Sequence, residues 1–303
     1  MGHARGERVD GVLLLDKPGG MTSNLALQKA RRLMNAAKAG HTGTLDPMAT
    51  GLLPLTFGEA TKFSADLLDA DKAYSATLKL GVTTTTGDAE GEVTASAAVA
   101  VSDAAIDEVL SHFTGSIAQV PPMHSALKRQ GRPLYELARA GVEVPRAPRR
   151  VVIASLQRVA RATDEVTLNV ECSKGTYVRV LAEDIGRELG CGAHLIALRR
   201  TRVGALRLDD AVTLEQLEQI QLPERRLILL PVDELLGSLP RVDLDEDLAA
   251  RFRQGQRLAI DAEPRSARVR VYAAREELLG TANVNEWGVV APERLISNEK
   301  EPS

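Results

Sequence analysis

Cysteine is nearly absent: Cys172 and Cys191 are the only two in 303 residues. Without a second pair there is neither a disulfide framework nor a tetrahedral zinc site, so two free buried thiols are expected. Aromatic residues are scarce as well, at 3%, with four Tyr, four Phe and one Trp. A tyrosine in a polar setting is then harder to dismiss as core packing, and Tyr74 and Tyr177 are two such residues. Long apolar runs are also missing. None approaches the ~20 residues that span a bilayer, and Met1 to Asp10 is polar and charged with no apolar signal region, so a soluble, cytoplasmic chain is expected.

Familiar fingerprints are absent too. There is no G-x-x-x-x-G-K-[ST] or G-x-G-x-x-G, and no H-E-x-x-H or G-x-S-x-G, which leaves phosphate-loop, dinucleotide, zinc-protease and serine-hydrolase readings without support. Asp243, Asp245 and Asp247 begin like a calcium loop. Leu248 stands where its glycine is required and Gln254 where its glutamate belongs, so these acids read as a surface cluster. Neither metal nor cofactor is expected. The formal charge of -3 excludes a uniformly basic coat but leaves local charge open.

With 44% hydrophobic residues the chain can bury a sizeable core, in one large domain and a smaller one or two of moderate size. Gly11 to Asp16 reads as a buried strand ending at Lys-Pro-Gly-Gly. A helix follows, capped by Thr22 or Ser23, with Leu25, Ala26, Ala30, Leu33 and Met34 inward. Glu59 to Leu68 reads as helix, Lys72 to Leu80 as a half-buried strand with Tyr74 near its start, and Val82 to Gly91 as a polar loop. Ser102 to Phe113 is a helix capped by its serine. Val166 to Cys172 is a strand, and Thr176 is placed to cap a helix with Val178, Leu181, Ala182, Ile185 and Leu189 inward. Leu195 to Leu208 continues the sheet, Leu214 to Ile220 is helical, and Pro231 to Pro240 is a connector. Beyond Arg241, short strands between turn glycines suggest a compact β-rich domain.

Three features ask for chemistry. The first is Gly40 to Gly51, a shaped loop whose one acid is Asp46. Asp46-Pro47 also fits a helix N-cap followed by the first helical residue, a structural account of both. The second is Arg179 in the first turn of its helix, where a cation is disfavoured by roughly 0.3–1 kcal/mol and calls for an anion nearby. The third is Ser125 to Arg161, with nine basic residues against two acidic and with prolines at 133, 145 and 148. A solvated face and an excursion laid over a phosphate backbone both fit it. A lone aspartate without metal or cofactor can serve as nucleophile, general base or partner of a developing cation, and an adjacent arginine keeps it ionised.

Several motifs then resemble one family, the B-type pseudouridine synthases, to which the bacterial tRNA pseudouridine(55) synthases belong. They are Lys17-Pro18-Gly19-Gly20-Met21-Thr22-Ser23, the run GHTGTLDPMATGLLP from Gly40 to Pro54, Phe57-Gly58-Glu59-Ala60-Thr61-Lys62 and Asp71-Lys72-Ala73-Tyr74. Cys172-Ser173-Lys174-Gly175-Thr176-Tyr177-Val178-Arg179, Gly190-Cys191-Gly192-Ala193-His194-Leu195 and Leu198-Arg199-Arg200 complete the series over about the first 200 residues.

The resemblance implies an α/β fold of α+β mixed-sheet type: a catalytic domain over 1–240, a basic thumb-like insertion at about 122–152 covering RNA, and a PUA-like RNA-binding domain over 241–303. It implies isomerisation of the uridine at position 55 in the tRNA T loop. After base flipping the N1–C1′ bond is broken, the base turns, and C5 is joined to C1′ without a cofactor. By motif position Asp46 becomes the essential carboxylate, Arg179 its ion-pair partner, and Tyr74 the residue that stacks on uracil and is a candidate to remove the C5 proton. His41 fills the gap left by the extruded base, and Tyr177 and Leu198 line the pocket. Lys128, Arg129, Arg132, Arg146 and Arg150 are the candidate RNA-backbone contacts. The expected partner is tRNA, bound by a monomer that needs neither another protein nor a membrane. The rivals are a tRNA-binding chaperone without chemistry and a glycosylase that stops after bond cleavage.

Overall fold

The computed structural model describes residues 6–125 and 127–297, so residues 1–5 of the polar opening lie outside the described residues. The strands β1 (Gly11–Lys17), β2 (Ala39–His41), β3 (Thr50–Phe57) and β4 (Lys72–Leu80) are followed by a small hairpin of β5 (Val82–Thr84) and β6 (Val93–Ser96). Then come β7 (Gly115–Gln119), a second hairpin of β8 (Lys128–Arg129) and β9 (Arg132–Pro133), and β10 (Arg149–Ala162), β11 (Glu165–Cys172), β12 (Ala193–Val203) and β13 (Leu206–Arg207). The main sheet runs β1-β3-β12-β4-β11-β10-β7, with β2 added to β3 and β13 to β12. Among its strand pairs in the described residues, the parallel one matters most. β12 meets the start of β3 at Arg199↔Thr50 and Arg200↔Gly51, while its other edge pairs antiparallel with β4 at Arg200↔Tyr74.

Strand alternation divides the core. Leu13, Leu15, Leu53 and Leu55 face the larger cluster, shared with Leu168 and Val170 and with helices α1 (Ser23–Leu33), α2 (Asp103–His112) and α4 (Val178–Glu188). Val12, Leu14 and Leu52 face a smaller cluster with Phe63, Leu235 and Leu236. Because β1 and β3 are covered on both faces, they read as continuous apolar runs rather than alternating ones. Phe57 and Phe63 are fully buried, and truncating either to Ala should cost about 3–5 kcal/mol. The short α3 (Leu134–Arg139) lies in the insertion, and α5 (Leu214–Gln219) and α6 (Leu222–Arg225) follow β13.

Several elements differ from the sequence reading, each for a physical reason. Thr22 caps α1 by accepting from the Leu25 N–H at 3.2 Å, but Leu25 itself is exposed and Leu27 takes the inner position, one turn before Ala30. Glu59–Leu68 forms only a 3-10 turn at Gly58–Phe63. There the Glu59 and Lys62 side chains are held by Leu295 and Ser297 from the last strand and just beyond it. The fourteen-residue β10 was hidden by its arginines, and it claims 149–152 from the expected insertion. Thr176 does not cap α4: its hydroxyl donates to the Ser173 carbonyl, and the buried Gln119 amide bridges the N–H and C=O of Tyr177, the actual N-cap. The expected connector at 231–240 contains a 3-10 turn, Val232–Leu236, that buries Leu235 and Leu236.

A second sheet of five strands follows: β14 (Arg241–Asp243), β15 (Leu258–Ala259), β16 (Ala267–Ala273), β17 (Glu277–Val284) and β18 (Val289–Leu295), ordered β14-β16-β17-β18-β15. It also carries α7 (Glu246–Arg253), which the sequence reading missed. Asp245 is its cap, accepting from the Leu248 N–H at 2.8 Å, so part of the acidic cluster serves a helix N-terminus. Tyr272 donates to Asp233 at 2.7 Å and Arg268 pairs with Asp66, fastening this sheet to the first.

Candidate active site

The Gly40–Gly51 loop is shaped by its neighbours rather than by a helix. Ser23 clamps it from α1, accepting from the Leu45 N–H at 2.8 Å and donating to the Leu45 carbonyl at 3.0 Å. Asp46-Pro47 starts no helix, against the N-cap reading. The Asp46 carbonyl instead accepts from the Ala49 N–H at 3.1 Å, closing a turn with Pro47 inside it. Beneath the turn Lys17 is fully buried, and its ammonium donates to the carbonyls of Pro18 (2.8 Å), Met21 (2.7 Å) and Pro47 (3.3 Å). Burial pushes this lysine down to about 8 against the opposing charges of Asp46 and Glu90. The acid side chain therefore projects from a backbone pinned on both sides.

Arg179 meets that acid. Its Nε lies 2.9 Å from Oδ2 of Asp46 and its Nη2 3.3 Å from Oδ1, a two-pronged pair with the arginine side chain 5% and the aspartate 36% exposed. The remaining donors are used as well: Nη1 bonds the Thr86 carbonyl at 3.2 Å, and Nη2 the His124 carbonyl at 2.8 Å. A second carboxylate, the buried Asp88, stands 3.5 Å from Nε, held by the Thr86 hydroxyl (2.5 Å) and the Glu90 N–H (3.1 Å). The anion that Arg179 needed at a helix N-terminus is thus two anions. Sequence reasoning missed Asp88 by taking Val82 to Gly91 as a polar loop, although Thr-x-Asp followed by a second acid was a signal of an ordered turn.

Of the other expected residues, Tyr74 and Tyr177 lie within electrostatic reach of Asp46. Tyr74 lies in β4, half-buried, and burial pushes its phenol up while the facing Arg200 opposes that shift. Leu198 and Arg200 extend from β12 on the same side of the sheet as Tyr74, with Leu198 beside Ala76 and nearly buried. Tyr177 precedes α4 and its phenol is also raised by burial. His41 ends β2; burial lowers its imidazole, and its Nδ1 is buried with no partner among the described residues. Cys172 and Cys191 are free and buried, and burial pushes the Cys172 thiol up to about 11.

The basic segment divides in two. Lys128, Arg129 and Arg132 are exposed on the β8–β9 hairpin, and Arg150 is exposed at the start of β10. Arg129 bonds the Pro145 carbonyl, and Arg146 bonds Glu143 and the Pro121 carbonyl. Arg158 and Arg161 are committed elsewhere, paired with Asp103 and Asp107 on α2, which removes them from any surface offered to phosphate. Chemically, the site is a fixed carboxylate on a buried guanidinium, with Tyr74 and Tyr177 close enough to feel the charge of Asp46. It is suited to breaking or making a bond at an electron-poor carbon.

Three family models match successive stretches of the chain. Residues 31–178 match the family model of the TruB family pseudouridylate synthase N-terminal domain. Residues 179–237 match the tRNA pseudouridylate synthase B C-terminal domain, and residues 240–296 the C-terminal region of pseudouridine synthase II TruB. The chain is 60% identical over 290 residues to tRNA pseudouridine synthase B of Dechloromonas aromatica, covering 96% of each. It is 60% identical over 294 residues to tRNA pseudouridine synthase B of Burkholderia mallei, covering 95% of this chain and 97% of the relative. Among solved structures, a chain of a Cbf5-Nop10-Gar1 complex superposes with a TM-score of 0.74 at 27% identity, covering 94% of this chain and 84% of that one.

Proposed function

The chain belongs to the TruB family of pseudouridylate synthases, and on that premise we propose how its site turns uridine in tRNA into pseudouridine. The reaction is an isomerisation, and the uridine is the one at position 55 of the T loop. The observation that carries the reading is the two-pronged Asp46–Arg179 pair beside Tyr74. Asp46 is the essential carboxylate, acting on the uridine as its N1–C1′ bond breaks, and Arg179 holds it aimed through the two-pronged pair.

A base that reacts at C5 and N1 must leave its stack, which costs a few kcal/mol. One aromatic platform returns about 1–3 kcal/mol, so stacking on Tyr74 offsets much of that cost. His41 takes the space of the extruded base, and Tyr177 and Leu198 wall the pocket. The hairpin residues Lys128, Arg129 and Arg132, with Arg146 and Arg150 at its base, grip the backbone as a thumb. They leave recognition to the shape of the folded loop. Residues 241–303 serve as a PUA-like RNA-binding domain. No helix among the described residues is long and apolar enough to cross a membrane.

Incubation of an unmodified tRNA transcript with the protein tests this. Pseudouridine should form at position 55, with the RNA mass unchanged. Free uracil instead would mark a glycosylase, and tight binding without product a chaperone.

A further inference from the structure

Arg200 is the bulkiest of the side chains sealed inside the molecule, at 2% exposed, and among the described residues no carboxylate is paired with it. Its Nε donates to the Leu52 carbonyl at 2.7 Å, and its Nη2 to the Gly43 carbonyl at 3.3 Å, inside the Asp46 loop. On one edge of β12 it is the register partner of Gly51, which closes that loop, and on the other of Tyr74. A Cβ at Gly51, where φ is +97°, would stand 2.3 Å from the Arg200 carbonyl, so loop and strand are pressed together at this point. The cation's charge disfavours protonation of Lys17, His41 and Lys72 alike. A buried cation without a counter-ion is costly, and an apolar side chain would fill the same space without that cost. Its retention in the middle of the site therefore asks for a reason.

The geometry supplies one. Tyr74 is the register partner of Arg200 across β12 and β4, on the same face of the sheet, and the guanidinium is the cation that bears most on its phenol. Arginine only donates hydrogen bonds, so a contact between the two makes the Tyr74 oxygen the acceptor and leaves the phenol's own proton for the cleft. Cys172 and Asp46 are the other charged or titratable groups bearing on that hydroxyl. We propose that Arg200 is a positioning residue for the isomerisation: one buried guanidinium ties the Asp46 loop at Gly43 to the Tyr74 hydroxyl across the strand pair. It thereby fixes the carboxylate and the aromatic ring relative to one another and turns the phenolic O–H toward the target base. This role rests on the functional reading given above.

The test compares Arg200→Lys, Arg200→Met, Tyr74→Phe and the Tyr74→Phe/Arg200→Met double variant. Three quantities are measured: single-turnover conversion of a T-arm stem-loop RNA, its Kd, and the titration of Tyr74 by NMR of 13Cζ-labelled tyrosine, assigned by Tyr74→Phe. Arg200→Met should slow conversion about 100-fold with Kd within about threefold, and raise the Tyr74 titration. The double variant should be no slower than Tyr74→Phe alone, and Arg200→Lys should lie between wild type and Arg200→Met in both rate and titration. Multiplying effects in the double variant, or an unmoved Tyr74 titration, would overturn the proposal. If Arg200→Met does not fold, Arg200→Lys decides by the same two readouts, and wild-type values in both sink the idea. Wild-type protein that makes no pseudouridine overturns the functional reading and this inference with it. A normal wild type with an unaffected Arg200→Lys overturns the inference alone.

Discussion

Arg179 places its Nε 2.9 Å from Oδ2 of Asp46, across 133 positions of sequence. Each residue answers a problem posed by the other: the arginine is buried at a helix N-terminus that disfavours cations, and the carboxylate needs a fixed bearing. Replacing Arg179 with Ala would leave Asp46 and Asp88 side by side without their shared cation. Single-turnover conversion should fall by about 100- to 1,000-fold, the range seen when one electrostatic contact to a transition state is lost. Arg179→Lys should restore little of it, because an ammonium cannot reproduce the two-pronged geometry or reach the Thr86 and His124 carbonyls as well. Recovery by Lys to near wild-type rate would show that charge alone suffices.

The basic segment divides into two predicted behaviours. Lys128, Arg132 and Arg150 have exposed side chains, so substituting Ala at any one that meets a phosphate should reduce the slope of log K against log salt by about one unit. Arg158→Ala should leave that slope untouched and lower the Tm instead, because its partners are Asp103 and Asp107. Equal salt slopes in all four variants and the wild type would remove the hairpin from the RNA interface.

Lys17 gives stability a pH dependence whose sign follows from its shift. Its pKa falls from the usual 10.5 to about 8 on folding. Between those values the unfolded chain binds the extra proton, so the unfolding free energy rises with pH. The cost of burying the ammonium is full below about pH 8 and is relieved as pH climbs toward 10.5. Urea denaturation at pH 7, 8, 9 and 10 should show wild type gaining stability relative to Lys17→Met as pH rises. Parallel curves would mean that Lys17 keeps its proton throughout.

Gly51 is required by both space and conformation. At φ +97°, with a Cβ falling 2.3 Å from the Arg200 carbonyl, Gly51→Ala should destabilise the protein by more than about 1 kcal/mol. It should also slow conversion by displacing Arg200. A Tm within a degree of wild type would mean that the strand contact yields without cost.

Much of this was legible in the sequence where local pattern and local structure coincide. The strand at Gly11, the serine-capped helix at 103–112 and the loop around Asp46 follow from runs, caps and glycines. What stayed hidden depended on distant partners. β10 looked like a charged excursion because Arg158 and Arg161 meet α2 some fifty residues earlier in the chain. Gln119 replaces Thr176 at the head of α4 from 58 positions away. Asp88 and Arg200 join the site only through contacts that sheet closure creates. The family motifs named Asp46, Tyr74 and Arg179, but no spacing shows that Arg200 sits between their segments.

The most direct test of the central role given to Asp46 is tritium release from tRNA labelled at uracil C5, comparing wild type with Asp46→Asn. The account predicts that release disappears while tRNA affinity stays within about threefold, because the isosteric amide keeps the shape of the loop while it loses the charge and one of the two acceptors that Arg179 uses. Near-normal release by Asp46→Asn would contradict it.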